Sequence, residues 1–192
     1  MSDVFTDLLE LTEIERVPVK VRKFLHRDEP PSYAKTWEFF SYGYGWAFDE
    51  LAKKALETWP SRDYLAMPLF FLARHSIELH LKDTILEYAR TDDTPPDLGT
   101  HGLIQLWNQL RKYMERYGIP ADDEWGVYCG KLLNHVHEVD PDGERFRYPA
   151  ARDGASFELT RIELEGLVRA HWHITMYCDG CANMHAEGYH GE

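Results

Sequence analysis

The stretch Arg74-His75-Ser76-Ile77-Glu78-Leu79-His80-Leu81-Lys82 lies at the centre of the segment that decides the fold. Apolar side chains recur around it at intervals of three and four residues, which predicts one long helix over 62–90 with a buried face. A buried charge costs several kcal/mol unless it is paired. The ionisable groups of this helix therefore indicate either a polar network inside a bundle or a functional groove.

The spacing within the stretch favours pairing along one side of the helix. Glu78 and Lys82 are four residues apart with the acid first, which is the favourable order, and Arg74 can pair with Glu78 as well. One interpretation of the polar residues is therefore structural. It joins the following side chains in a buried network that fixes helix packing: His75, Glu78, Lys82, His101 and Arg147.

The composition bounds the class of protein. The chain has 192 residues, of which 44% are hydrophobic, enough for one domain with a substantial core. Its formal net charge of -12 argues against indiscriminate binding to nucleic acid or anionic membrane. There is no apolar run of about 18 residues, and we expect no transmembrane helix. The acidic N-terminus does not resemble a signal peptide, and the odd number of cysteines favours a reducing cytoplasm.

Five helical patterns order the chain. Besides 62–90 they cover 32–59, 100–117, 121–139 and 160–186, the last opened by Thr160 and Glu163 in a capping-box spacing. Residues 145–149 are predicted to be an extended insertion before the last helix. The predicted fold is an all-α up-and-down bundle over 32–188, preceded by an N-terminal helix and extended arm over 1–31. That arm carries a basic cluster in residues 16–27.

Cys178, Cys181 and His185 form a candidate zinc site at the chain's C-terminal end, with His171 or His190 as a fourth ligand. The alternative is that the two cysteines are small residues in a helix seam. Walker loops, dinucleotide fingerprints, zincin motifs and nucleophile elbows are absent from the sequence, so hydrolysis by an activated serine and Gly-rich nucleotide binding have no support.

Three pieces of the sequence together resemble the HEPN superfamily of small helical proteins. They are Phe71-Leu72-Ala73 followed by 74–82, the stretch His101-Gly102-Leu103-Ile104-Gln105-Leu106-Trp107, and Asp140 with Phe146-Arg147-Tyr148-Pro149. The resemblance extends over about 37–186. It implies an all-α bundle, usually a homodimer. Many members are metal-independent endoribonucleases of toxin-antitoxin and antiphage defence systems, which implies a cytoplasmic protein without a cofactor.

The ribonuclease motif of that superfamily is an arginine, a polar residue and, a few residues later, a histidine. Arg74 and His80 match it as the catalytic pair, with His75 as the polar residue. His80 would activate or protonate an RNA oxygen and Arg74 would hold the phosphate. Six residues at ~100° each, however, place Arg74 and His80 about 120° apart around the helix. Arg145 and Arg147 are candidates for gripping RNA.

Three functions therefore follow from the sequence. One is an effector that cleaves or binds RNA, with an antitoxin or another defence-system protein as a partner. The second is a non-catalytic module for dimerisation or protein binding, in which the polar residues are structural. The third is a zinc-binding regulator that uses Cys178, Cys181 and His185.

Overall fold

The computed structural model describes residues 4–6, 9, 31–57, 61–147, 154, 156 and 161–188, the side chains of residues 61 and 62 excepted. The chain divides into two compact units, Met1–Pro31 and Ser32–Glu192. In the first unit, residues 4–6 and 9 are helical. The basic cluster predicted for the arm lies outside the described residues.

The second unit is an all-α bundle, which confirms the predicted fold class. A 3-10 turn at Ser32–Lys35 precedes five helices among the described residues. These are α1 (Trp37–Glu57), α2 (Ser61–Ala89), α3 (Leu103–Arg116), α4 (Glu124–Val139) and α5 (Leu164–Ala186). Helix α2 is the central element, because it packs against α1, α3 and α5.

The predicted apolar face of α2 is the middle of the core. Ile77, Leu81 and Ile85 have no exposed surface, and they share one buried cluster with Phe48 of α1 and Ile174 of α5. Burying one such aliphatic side chain is worth about 1.5–3 kcal/mol relative to leaving it exposed. The central position of α2 therefore forces its polar residues to find partners within the protein.

Four helices begin later than their sequence patterns predict, and side chains cap three of them further along the chain; the fourth, α3, begins after Gly102 without a side-chain cap. The pattern at 32–59 breaks at Thr36, whose Oγ1 accepts a hydrogen bond from Phe39 N (3.1 Å). Helix α4 begins after Asp123, which accepts from Gly126 N (2.7 Å), and α5 begins after Glu163, which accepts from Gly166 N. The predicted capping box opened by Thr160 is therefore wrong: Glu163 is itself the N-cap.

The predicted extended insertion is also wrong where the structure describes it. Residues 145–147 form a turn, in which Arg147 N donates to Glu144 O (3.0 Å). The carboxylate of Asp140 accepts from Arg145 N (3.1 Å) and so holds the turn against the end of α4. Phe146 packs on Phe70 of α2, with ring centroids 4.1 Å apart. Tyr148 and Pro149 lie outside the described residues.

Within the described part of the chain, every helix is too short or too polar to cross a membrane.

Candidate functional site

Arg74 joins three separate parts of the bundle. Its Nη2 donates to His101 O (2.8 Å) in the loop before α3, and its Nε donates to Asp140 O (3.2 Å) after α4. Its Nη1 pairs with Glu78 Oε2 (3.3 Å) one turn along α2. The residue is only 4% exposed. Because three of its N–H groups already have protein partners, the main role of this guanidinium is to hold those parts of the bundle together.

Glu78 is the charged partner that makes this enclosure possible. Its Oε1 accepts hydrogen bonds from Lys82 Nζ (2.8 Å) and from His101 Nδ1 (2.9 Å). Burial by itself raises the pKa of Glu78, but the hydrogen bonds from Lys82 and His101 outweigh it, and the pKa lies below its ordinary value. Glu78 is therefore held as a carboxylate.

His101 carries the network to the surface. Its side chain is 73% exposed, whereas that of Glu78 is 5% exposed. The bond to Glu78 uses Nδ1, and none of the hydrogen bonds between described residues uses His101 Nε2. A carboxylate that accepts from one ring nitrogen of a histidine fixes the ring orientation and leaves the other nitrogen for chemistry.

These residues line a cavity of about 600 Å³, which we call the Arg74 cavity. This volume is within the range of small-molecule sites. Its lining combines four helix α2 residues and His101 with the turn after α4: Phe71, Arg74, His75, Glu78, His101, Asp142, Gly143, Glu144 and Arg147. Two arginines thus face three carboxylates, so the cavity is polar without being strongly basic.

The turn closes over Arg74 because of a glycine. Gly143 has φ +73°, and a Cβ atom there would lie 2.6 Å from Arg74 Nη1. Glycine adopts this backbone region without a steric cost, and no other residue leaves room for the guanidinium. Arg147 is attached to the same turn, since its Nε donates to Gly143 O (2.7 Å).

His75 lies beside Arg74 in the cavity. Its ring is parallel to that of Phe71 and meets Tyr44 of α1 edge-on, with ring centroids 4.4 Å apart. Burial lowers the pKa of His75, the positive charges of Arg74, Lys82 and Arg147 act in the same direction, and Glu78 opposes them. A neutral imidazole can accept a proton.

His80 has different neighbours. It is 4% exposed, its Nδ1 donates to Ser76 O (2.8 Å), and its Nε2 lies 3.8 Å from Asp179 Oδ1 of α5. Its ring also meets Tyr42 of α1. None of these residues lines the Arg74 cavity. The sequence-predicted catalytic pair is therefore split between two sides of α2, whereas Arg74 and His75 stay together.

The predicted structural network is assembled around Glu78, with differences in membership. Lys82 and His101 bind Glu78 directly, and Lys82 Nζ also lies 5.7 Å from the centroid of a Trp37 ring. His75 contributes ring packing, and Arg147 lines the cavity through the turn. Arg145 binds Asp140 through its backbone and is not among the residues that line the cavity.

The candidate zinc ligands do not come together. Among residues 31–57, 61–147 and 161–188, no three His, Cys, Asp or Glu side chains are grouped as a metal site. His185 Nε2 bonds Thr91 Oγ1 (2.8 Å), and its ring packs on Tyr88. Burial raises the pKa of Cys181 to about 11 and also raises that of Cys178, so both side chains behave as thiols packed in the helix seam. His190 lies outside the described residues.

Sequence reasoning missed the partners of two buried arginines, Arg74 and Arg111. Asp140 was singled out only as part of a recurring piece, although its Oδ2 lies 3.6 Å from Arg74 Nε. Arg111 of α3 binds Asp123 Oδ2 (2.6 Å) and Tyr177 OH (2.7 Å), which ties α3 to α5. The signal that marks Arg111 is its position on α3 between Trp107, four residues before it, and Met114, three residues after it, both of them buried.

A scan of family models, a search of characterised proteins and a search of solved structures each found no match to this chain.

Proposed function

We propose that this protein is a metal-independent endoribonuclease that cleaves RNA in the Arg74 cavity. The observation that carries the proposal is the hydrogen bond of 2.9 Å between Glu78 Oε1 and His101 Nδ1, which orients an exposed imidazole at the edge of the cavity. The resemblance to the HEPN superfamily points to the same class of reaction. It also supplies two further expectations, a cytoplasmic homodimer and an antitoxin or other defence-system partner.

The chemistry needs two proton-transfer groups and a counter-charge. His75, whose pKa is lowered, takes the proton from a ribose 2′-OH, and that oxygen attacks the adjacent phosphorus. His101 gives a proton to the departing 5′-oxygen, and Glu78 stabilises the ring while it is charged. The products are a 2′,3′-cyclic phosphate and a 5′-hydroxyl. Arg147 at the cavity wall faces the phosphate charge.

Arg74 has a positioning role in this proposal. Its three protein partners hold the loop before α3 and the turn after α4 in place, so that His101 and Arg147 face one cavity. This role differs from the direct phosphate contact expected from the motif. Helix α2 thus contributes His75 and Glu78 to the proposed reaction, and His80 has no part in it.

The test is cleavage of total RNA and of tRNA by purified protein in EDTA. We expect wild type to produce fragments with 2′,3′-cyclic phosphate ends, and His101→Gln and His75→Gln to lose about 100-fold or more of the rate. The matched control is His135→Gln, since His135 is exposed on α4 and is not among the residues that line the cavity. Intact RNA with all proteins folded, or equal rates for His101→Gln and wild type, would reject the proposal.

A second candidate is favoured by one observation: Arg74, Glu78 and Lys82 are each no more than 4% exposed. Enclosed ion pairs of this kind specify packing, so the same residues suit a non-catalytic module that dimerises or binds a protein partner. In that case the Glu78→Gln variant loses stability, while His101→Gln changes neither stability nor any RNA signal.

A further inference from the structure

One aromatic side chain on the wall of the Arg74 cavity, Phe71, has no role in the proton transfers above, and it pairs with His75, which does. Phe71 and His75 are one helical turn apart on α2, and both line the cavity. Their rings are parallel within 4°, with centroids 5.8 Å apart. Both side chains are half-buried, so part of each ring surface faces the cavity space.

The His75 ring of this pair packs against α1. The Tyr44 ring meets the His75 ring edge-on, with an angle of 89° between the ring planes and centroids 4.4 Å apart. Tyr44 is not among the residues that line the cavity. Edge-to-face contacts of this kind fix ring orientation. A fixed aromatic surface beside a polar cavity is what a flat, partly apolar ligand needs, because stacking then costs little ordering.

The charges of the cavity limit what that ligand can be. Arg74 and Arg147 are outnumbered by the carboxylates of Glu78, Asp142 and Glu144. Duplex RNA is bound mainly through rows of phosphates, which need several basic residues along a surface. An A-form duplex also keeps its base faces stacked inside, whereas an unpaired base can lie on an aromatic side chain. The cavity therefore matches one splayed nucleotide better than a duplex.

We propose that Phe71 is the stacking platform for the base of an unpaired nucleotide, so that the substrate is single-stranded RNA. This inference rests on the proposed function and assigns its substrate class. The base on Phe71 belongs to the nucleotide on the 5′ side of the cleaved bond, because His75, beside Phe71, then meets the 2′-OH of the same nucleotide. Phe71 is a specificity-determining residue and takes no proton.

The experiment measures binding apart from cleavage. A fluorescein-labelled 2′-deoxy oligonucleotide of mixed sequence resists cleavage because it lacks the attacking 2′-OH, and its anisotropy reports binding to the full chain. We expect Phe71→Leu, which keeps an apolar side chain but removes the ring, to weaken binding by about tenfold. The control is Phe40→Leu on α1, where the ring is 48% exposed and is not part of the cavity lining. The same oligonucleotide annealed to its complement should bind more weakly than the single strand.

The outcomes separate the two proposals. If RNA is cleaved but Phe71→Leu binds the single strand as tightly as wild type, the stacking platform is wrong and the proposed function stands. A duplex bound as tightly as the single strand also overturns the platform. If folded wild type neither cleaves RNA nor binds the probe, both proposals fail. Thermal melting of each variant shows that a loss of binding is not a loss of folding.

Discussion

Glu78 and His101 are joined by a hydrogen bond of 2.9 Å across a separation of 23 residues, and they differ sharply in exposure. The carboxylate belongs to the bundle interior and the imidazole to its surface. Lys82 and Arg74 bind the same carboxylate from within α2. Glu78 therefore belongs both to the buried ion cluster with Arg74 and Lys82 and to the hydrogen bond with exposed His101. A change at Glu78 should affect both the stability of the fold and the proposed chemistry.

Replacing Glu78 by glutamine should destabilise the fold strongly. The variant keeps the side-chain shape but leaves Lys82 buried without a countercharge and Arg74 with Asp140 alone. Breaking a buried pair costs about 3–5 kcal/mol. Urea unfolding followed by circular dichroism measures the change. Glu50→Gln is the control, because the Glu50–Lys53 pair is well exposed and its loss should change stability far less. Equal midpoints for Glu78→Gln and wild type would show that the cluster is not structural.

The contribution of Glu78 should also depend on pH in a defined direction. Its pKa in the folded protein lies below the ordinary value of 4.5. The unfolded chain therefore binds a proton first as the pH falls, and the stabilisation is fully present above 4.5 and lost below it. The difference in unfolding free energy between wild type and Glu78→Gln should shrink below that pH. A difference that stays constant on acidification would contradict this assignment.

His171 should produce an acid sensitivity at higher pH. Burial lowers the pKa of His171 to about 3, and the charge of His80 acts in the same direction. The unfolded chain takes up its proton near the ordinary value of 6.5, so wild type loses stability as the pH falls from 6.5 towards 3. His171→Gln should flatten the curve of unfolding free energy against pH over that interval. Parallel curves for the two proteins would refute the prediction.

Two glycines test the closure of the turn over Arg74. Gly143 and Gly154 have φ of +73° and +85°, so alanine is strained by the backbone at both positions. Only at Gly143 would the new Cβ meet the guanidinium, at 2.6 Å from Nη1, while nothing lies within 4 Å at Gly154. We expect Gly143→Ala to lower the free energy of unfolding by about 1–3 kcal/mol, and by more than Gly154→Ala does. Equal losses would mean that the turn does not rest on Arg74.

His80 and His101 distinguish the motif from the cavity as the site of RNA cleavage. We expect His101→Gln to lose about 100-fold or more of the cleavage rate with little change in melting temperature, because its side chain is 73% exposed. His80→Gln should lower the melting temperature, because His80 is buried between α1 and α5, yet retain cleavage while it is folded. Rates measured well below each melting temperature make the comparison. If folded His80→Gln loses cleavage and His101→Gln does not, the catalytic site is the Arg74–His80 motif and not the cavity.

The sequence by itself determined the helices and the pairing within α2. The apolar periodicity through Ile77 and Leu81 is local, and so is the four-residue spacing of Glu78 and Lys82, because one turn of helix brings such positions together. The composition and the patterns were therefore sufficient for the all-α bundle. Helix ends were predicted less well, because the choice among neighbouring cap residues, such as Thr160 and Glu163, depends on which side chain reaches a free backbone N–H.

Only the tertiary structure decided which polar residues share a site. Arg74 and Asp140 are 66 residues apart, and the packing of α2 against α3 and of the turn after α4 over Arg74 brings them together. The same packing places His75 in the cavity, whereas α1 and α5 enclose His80. A local sequence motif determines the angular positions of its side chains around one helix. The neighbouring helices and turns determine which side of that helix remains accessible. For this reason the sequence identified α2 as central, while the cavity at Glu78 and His101 emerged only from the fold.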